Sequence, residues 1–302
     1  MSTSIDEHTA WNLVRAVPPG LGGTDSIRAQ HNSRADVWLQ VYASGRWETS
    51  LGVTREAHDV FEIYLPLLLR ADLVIAQVGQ SLDGRIATES GHSHFVTGQA
   101  DIRRLHRIRA LVDAVVVGAG TVASDNPRLT VREVEGENPV RVVLDPDGRL
   151  EPGRSVFSDG AARTLVVRRA PGGSTRPTTE GDVLMVPAAG TGGFDPRTVL
   201  QALREQGYRR VLVEGGGITV SRFVQAGVVD RLHVTVAPLL IGSGRSALTL
   251  TAIESLDQAL RPACRHFHLG DDVLFDLDLR KPREGQTGVG PGSDRGQNGV
   301  RP

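Results

Sequence analysis

Seven short apolar runs punctuate the middle of the chain: Leu73–Val78, Ala114–Val117, Val140–Leu144, Thr164–Val167, Val183–Val186, Val211–Val213 and Leu232–Leu240. Runs this short, bounded by turn-forming residues, read as buried strands. Helical patterns separate several of them. Gln99–Val112 carries apolar residues at Ile102, Leu105, Ile108 and Val112. Pro196–Gln206 follows Asp195, an N-cap with proline at the first helical position. Ile218–Ala226 stops at Gly227, a C-terminal glycine. Parallel strands need crossover connections, so this alternation predicts an α/β fold with a mixed, mostly parallel sheet and flanking helices. Cys264–Leu269 and Val273–Leu279 alternate apolar and polar residues around Gly270, Asp271 and Asp272, which predicts a C-terminal antiparallel hairpin. Pro171–Asp182 and Ala188–Gly193 read as surface loops.

The 302 residues would suit two domains, or one large α/β domain with extensions. The boundaries fall at 1–70, 71–280 and 281–302. The first segment predicts a hairpin from Val37–Tyr42 and Arg46–Glu48 around Ser44 and Gly45, then a helix over Arg55–Leu69 whose end Pro66 disturbs. It holds no chemical motif, and a structural or interface role is its default reading. The last segment is glycine-rich with few apolar residues and predicts a disordered tail. No internal repeat is visible.

Composition narrows the chemistry. The formal charge is 34 − 35 = −1, which argues against nucleic-acid binding. One lysine, Lys281, leaves 34 − 1 = 33 arginines. That removes phosphate loops of the G-x-x-x-x-G-K type, Ser-x-x-Lys nucleophiles, Tyr-x-x-x-Lys pairs and Schiff-base lysines. Anions must be held by arginine, hydroxyls, backbone N–H groups or helix starts. The single cysteine, Cys264, excludes an internal disulfide and a C-x-x-C zinc site, and it suits a reducing cytoplasm. No apolar stretch is long enough to span a membrane, and the polar, acidic N-terminus is unlike a signal peptide.

Several clusters are candidates for chemistry. Gly118–Ala123 follows a strand and matches G-x-G-x-x-[GA], but Pro127 comes soon after, so the segment reads as a loop rather than a dinucleotide turn opening a helix. Gly215, Gly216 and Gly217 follow a strand and open a helix; they read as an anion site, or else as a flexible strand-to-helix turn. Ser81–Gly84 closes the first core strand as an Asp-Gly turn. On that strand Gln77, Gly79 and Ser81 share one face, and Gly79 would let a flat ligand lie against it. Arg103, Arg104, Arg107 and Arg109 crowd one helix, mostly as a solvated face, with Arg109 able to reach a different neighbour. Arg128 and Arg132 could grip a phosphate bidentately. His92 with His94 and His266 with His268 lack a third ligand, so no metal site is expected. G-x-S-x-G is missing, which argues against an α/β-hydrolase.

Taken together, Val78–Ala87 (VGQSLDGRIA), Gly91–Thr97 (GHSHFVT), Val117–Arg132 (VGAGTVASDNPRLTVR), Pro139–Asp145 (PVRVVLD), Val213–Gly216 (VEGG) and Ala237–Gly242 (APLLIG) occur in the order of a known family. The chain resembles the reductase half of the riboflavin-biosynthesis deaminase–reductase, of the dihydrofolate-reductase-like fold class, from about Asp72 to Leu279. The resemblance implies NADPH-dependent reduction of 5-amino-6-(5-phosphoribosylamino)uracil to the ribitylamino pyrimidine by a cytoplasmic homodimer. It implies that Ser93, Arg109, Leu129, Arg132 and Glu214 line the substrate site. Ser93 and the two arginines would hold the 5′-phosphate and ribose, and Glu214 would face the pyrimidine. Gly79, Phe95, Thr121, Asp125 and the stretch Gly216, Gly217, Ile218, Thr219 to Arg222 would line the cofactor site. A cis peptide at Gly215–Gly216 is also implied, and no residue is implied as the general acid.

The chain departs from the family pattern in places. Gln77 stands where lysine is usual, and Phe95 where tryptophan is usual. The deaminase signature H-x-E…P-C-x-x-C is absent, and residues 1–70 stand in its place. Arg168 and Arg169 are candidates for an adenosine 2′-phosphate, whereas Asp145 and Asp147 would repel it, so NADH stays open beside NADPH. The alternatives are a related diaminopyrimidinone or dihydrofolate-like substrate, or a non-catalytic cofactor-binding protein.

Overall fold

The structure is a computed structural model and describes residues 4–93, 96–172, 177–187 and 193–280. The predicted tail, Phe95 and most of the Ala188–Gly193 segment lie outside them. In chain order the amino-terminal elements are β1 (Ser4–Ile5), α1 (Glu7–Arg15), β2 (Ser26–His31), β3 (Arg34–Tyr42), β4 (Trp47–Thr49), β5 (Gly52–Val53) and α2 (Arg55–Leu68). Then come β6 (Leu73–Ser81), β7 (Arg85–Thr88), α3 (Gln99–Arg109), β8 (Ala114–Gly118), α4 (Ala119–Asp125), β9 (Val140–Leu144), α5 (Ser155–Ser158), β10 (Thr164–Arg169), β11 (Thr178–Glu180) and β12 (Val183–Val186). The chain continues through α6 (Pro196–Glu205), β13 (Arg210–Val213), α7 (Gly217–Gln225), β14 (Arg231–Ala237), β15 (Gly244–Ser246), β16 (Ala263–Leu269) and β17 (Asp272–Asp278).

Ten of these strands form one sheet in the order β11-β12-β10-β9-β8-β13-β6-β14-β17-β16. The pairs from β12 through to β14 are parallel, and the β14, β17, β16 end is antiparallel. This is the sheet the alternation predicts. One predicted loop is corrected: part of Pro171–Asp182 is strand β11, which pairs antiparallel with β12 at the edge of the sheet. An edge position leaves half of its backbone groups to solvent, and its three residues are all exposed, so no buried face marks it in the sequence.

Residues alternate between two cores. Ile75, Val115, Val117, Val143 and Leu212 face one side, with Trp11, Leu13, Val14, Phe61, Tyr64 and Leu65 of α1 and α2. Val74, Ala76, Val116, Val142, Val211 and Val213 face the other, with Val199, Leu203, Val220 and Phe223 of α6 and α7. The period of two along each strand produces this division. Residues 4–70 therefore share a continuous core with the sheet.

Polar residues fasten the amino-terminal elements. Thr54 caps α2 and Asp195 caps α6, with Pro196 at its start. Pro66 lies inside α2 and cannot donate to the carbonyl one turn back. That carbonyl, on Glu62, instead accepts Arg265 Nη2 at 2.8 Å. Arg210, buried and held down to about 10 by that burial, donates to the carbonyls of Leu67, Arg70 and Leu111. No helix among the described residues is long and apolar enough to cross a membrane.

Candidate active site

The carboxyl ends of parallel strands are where open α/β sheets bind ligands. Here a cavity of about 1130 Å³ opens at the ends of β6, β8, β9 and β13. Pockets for small ligands run from about 300 to about 1,000 Å³, so this one is at the large end of that range. Its walls include Gly79, Ser93, Arg109, Thr121, Asp125, Leu129, Glu214, Gly216, Gly217, Ile218 and Thr219, all expected from the sequence. Arg132 is not on the wall: its Nη1 donates to the Thr130 hydroxyl at 2.5 Å.

The floor is a row of residues in register. His233 of β14 pairs with Gln77 of β6, and Val213 of β13 pairs with Ala76, which sets Glu214 beside Gln77. Helix α3 crosses above this row. Arg109 grips Glu214 with two parallel bonds, Nε to Oε1 at 2.9 Å and Nη2 to Oε2 at 2.8 Å. Both residues are buried, and Arg109 Nη1 also donates to the Thr130 carbonyl. Arg104 donates to Asp101 (2.7 Å), His233 Nδ1 (3.0 Å) and Gln77 Oε1 (2.9 Å). The expectation of a solvated arginine face is thus corrected. Only Arg103 of the four is exposed; Arg107 is buried under α1 and α2, and Arg104 and Arg109 are buried against the sheet. Arg107 donates to Glu7 and lies against the rings of Trp11 and Tyr64.

Charge in the floor is paired. Asp101 stays ionised against its burial because Arg104 and the Thr235 hydroxyl hold it. Asp276 accepts from Arg231 and Arg265 and lies 3.2 Å from His233, which keeps its carboxyl well below the usual range. Burial holds His233 neutral. His106 is likewise pushed down to about 4, by burial and then by Arg109 and Arg132, and its Nδ1 accepts the Arg132 N–H at 2.8 Å.

The glycine motifs take different forms from those predicted. Gly118–Ala123 is not a loop: Ala119–Asp125 is the short helix α4, and it ends at Asn126 in a left-handed conformation. Pro127 therefore follows a completed turn of helix and does not prevent it. The implied cis peptide is also corrected, since no cis bond occurs among the described residues. Gly215 instead turns the chain with φ +96°, and a Cβ there would meet the Thr121 side chain. The trans peptide lets the Gly216 N–H donate to Thr121 Oγ1 at 2.8 Å, so α4 and α7 are clasped together. Ser93 donates to Asp125 at 2.9 Å across the same wall. Asp83 binds the Ser81 hydroxyl and the N–H groups of Ile241 and Gly242, which lowers it to about 2 and ties two of the motifs into one structural lock.

Arg168 and Arg169 are committed to Asp145 (3.3 Å) and Asp147 (2.8 Å). Arg149, Arg222 and Arg245 line the cavity instead and form no ion pair among the described residues. Arg149 and Arg245 escape sequence reasoning, because isolated arginines in so arginine-rich a chain carry no spacing signal. Asp101 also lines the cavity, hidden in the sequence as an ordinary first-turn helix acid. No group of three or more His, Cys, Asp or Glu among the described residues is placed to hold a metal.

The mostly parallel sheet, with its strand ends opening on this cavity, is an α/β fold of the dihydrofolate-reductase-like class. The solved RibD of Acinetobacter baumannii superposes with a TM-score of 0.59 at 27% identity, covering 76% of this chain and 65% of that one. A family model described as the RibD C-terminal domain matches residues 72–275, and the chain belongs to this family. It is 36% identical over 217 residues to a 2,5-diamino-6-ribosylamino-4(3H)-pyrimidinone 5′-phosphate reductase of Methanothermobacter thermautotrophicus, covering 68% of this chain and 98% of the relative. It is 30% identical to the riboflavin biosynthesis protein RibD of Aquifex aeolicus, covering 76% of this chain but 64% of that protein.

Proposed function

We propose that this protein reduces a phosphoribosylaminopyrimidine with NADPH in riboflavin biosynthesis, with 5-amino-6-(5-phosphoribosylamino)uracil as substrate. The observation that carries the reading is one large cavity lined by most of the residues the family resemblance implies, Arg132 and Phe95 apart. The dinucleotide supplies the reducing equivalent when bound. The chain's own residues would bind and orient. The start of α7 offers the N–H groups of Gly217 and Ile218 toward the cavity, and Ile218 presents an exposed apolar surface beside them. A Cβ on Gly120 would meet nothing within 4 Å, which leaves that wall open to a flat ring. Arg149 and Arg222 would take the cofactor phosphates in place of Arg168 and Arg169. Arg245 is left for the substrate phosphate, because Arg109 serves Glu214 and the Ser93 hydroxyl donates to Asp125. Glu214, fixed by Arg109, would face the pyrimidine. The reaction is assigned to the cytoplasm and to a homodimer; β16 ends the sheet as an open edge with exposed Phe275 on its neighbour, which suits pairing of two copies.

A second reading is favoured by the archaeal relative that this chain matches almost end to end, whose name specifies the diamino pyrimidinone. Incubating the protein with NADPH and each pyrimidine, and following cofactor absorbance, decides between them. Turnover of the uracil form supports the first reading, turnover of the diamino form alone supports the second, and binding of NADPH without turnover of either sinks both.

A further inference from the structure

We propose that Asp272 is a positioning residue for the cofactor end of the cavity: from the C-terminal hairpin it fastens the start of α3, and so holds Val96, Thr97 and Asp101 in place on the cavity wall. This rests on the proposed function. The cap residue of α3 is Gly98, which has no side chain to offer the free N–H groups of the helix start. The missing carboxylate comes from far along the chain. Asp272, first residue of β17, accepts the Gly98 N–H on Oδ2 at 2.7 Å. A Cβ on Gly98 would stand 3.4 Å from the same oxygen, so the carboxylate lies against the helix start. Asp272 is 4% exposed and pairs with no cation among the described residues.

Such a group is a poor choice for stability alone. Burial pushes the Asp272 carboxyl up, and the charges of Asp101 and Asp271 add to the cost. What the helix start carries supplies a reason to keep it. Val96, Thr97 and Asp101 all line the cavity, whereas Asp272 stands behind them. Thr97 lies across Gly79, with its methyl 2.7 Å from where a Cβ on that glycine would stand. Its hydroxyl donates to Asp101, which in turn holds Arg104 and Thr235. Gly79 belongs to the cofactor side in the proposed reading, so the wall that Asp272 anchors faces the dinucleotide. The far end of α3 is fixed independently. Arg109 is gripped by Glu214, about 16 Å along the helix from Gly98. Releasing Asp272 therefore loosens the cofactor side and leaves the pyrimidine side to Arg109.

Three variants test this. Asp272→Ala removes the acceptor, and Asp272→Asn keeps one without the charge. Asp272→Ser, with a hydroxyl on a shorter arm, covers the case in which the alanine variant fails to fold. NADPH binding is read by fluorescence titration and the pyrimidine KM at saturating NADPH. For alanine and serine the expected result is an NADPH dissociation constant raised about 5- to 10-fold, the size of one helix cap lost, with the pyrimidine KM within about twofold of the wild type. Asparagine should restore the NADPH constant and melt no lower than the wild type. A role confined to stability would lower the melting temperature of the folded alanine or serine variant and leave its NADPH constant unchanged, and that outcome overturns the inference. So does a pyrimidine KM that moves as far as the NADPH constant, or an asparagine variant that binds NADPH as weakly as alanine. A wild type that binds NADPH but turns over neither pyrimidine sinks the proposed function, while the titrations still decide the role of Asp272.

Discussion

Single side chains in this protein are decided by what faces them across the sheet. Arg109 and Glu214 are 105 positions apart and form a buried, two-pronged ion pair. Gln77 stands where the family resemblance leads one to expect lysine, and its neighbour explains the exchange. Arg104 supplies a buried cation from the helix above, and a lysine at 77 would set a second cation against it. His106 gives a prediction at this scale. Its folded value, about 4, lies below the ordinary 6.5, so between these values the unfolded chain binds more protons than the folded one. The stability it contributes is complete above pH 6.5 and is lost as pH falls toward 4, and neutral, buried His233 acts in the same direction. The melting temperature should fall over that window, and His106→Gln should flatten the fall. Parallel melting curves for variant and wild type would remove His106 from the account.

Among elements, the start of α7 is the most tightly specified. Thr121 of α4 holds the Gly216 N–H, and Gly217 packs against backbone. A Cβ on Gly217 would sit 2.5 Å from the Ser246 carbonyl oxygen, whereas one on Gly216 would meet the Thr121 hydroxyl at 3.3 Å. Gly217→Ala should therefore cost about 2 kcal/mol by overpacking and weaken NADPH binding about tenfold, with Gly216→Ala much milder. Thermal melts and cofactor titrations check both, and a Gly217→Ala protein that melts and binds like the wild type would refute the packing argument. The alternating strands, α3, α6, α7 and the terminal hairpin were legible because each has a periodic buried face or a cap. Helix α4 was not, since seven residues ending before a proline carry no period that separates helix from loop. Strand β11 was not, since it buries nothing.

At the scale of the whole molecule, the amino-terminal segment is held to the sheet both by apolar packing and by the Arg107–Glu7, Arg265–Glu62 and Arg210 contacts. Burying one large apolar side chain is worth about 1.5–3 kcal/mol, and α1 and α2 bury Trp11, Leu13, Phe61, Tyr64, Leu65 and Leu67 in a core they share with β6 and β8. We therefore propose that residues 1–70 are a structural part of the reductase unit. A fragment starting at residue 71 should express poorly and melt without cooperativity. A cooperative melt near that of the full chain would show instead that the segment is a separate addition.

The sequence alone determined the layered α/β fold, the hairpin, the excluded chemistries and a part of the cavity wall. These follow from periodicity, composition and contiguous motifs, all of which are local. Tertiary structure decided which arginines are spent inside the protein and which are left to face a ligand. It buried Arg104 and Arg109, paired Arg168 and Arg169, turned Arg132 aside and left Arg149, Arg222 and Arg245 on the cavity. A guanidinium's role depends on the acceptors that packing brings within about 3 Å, and partners as far apart in the chain as Arg104 and His233 leave no spacing to read.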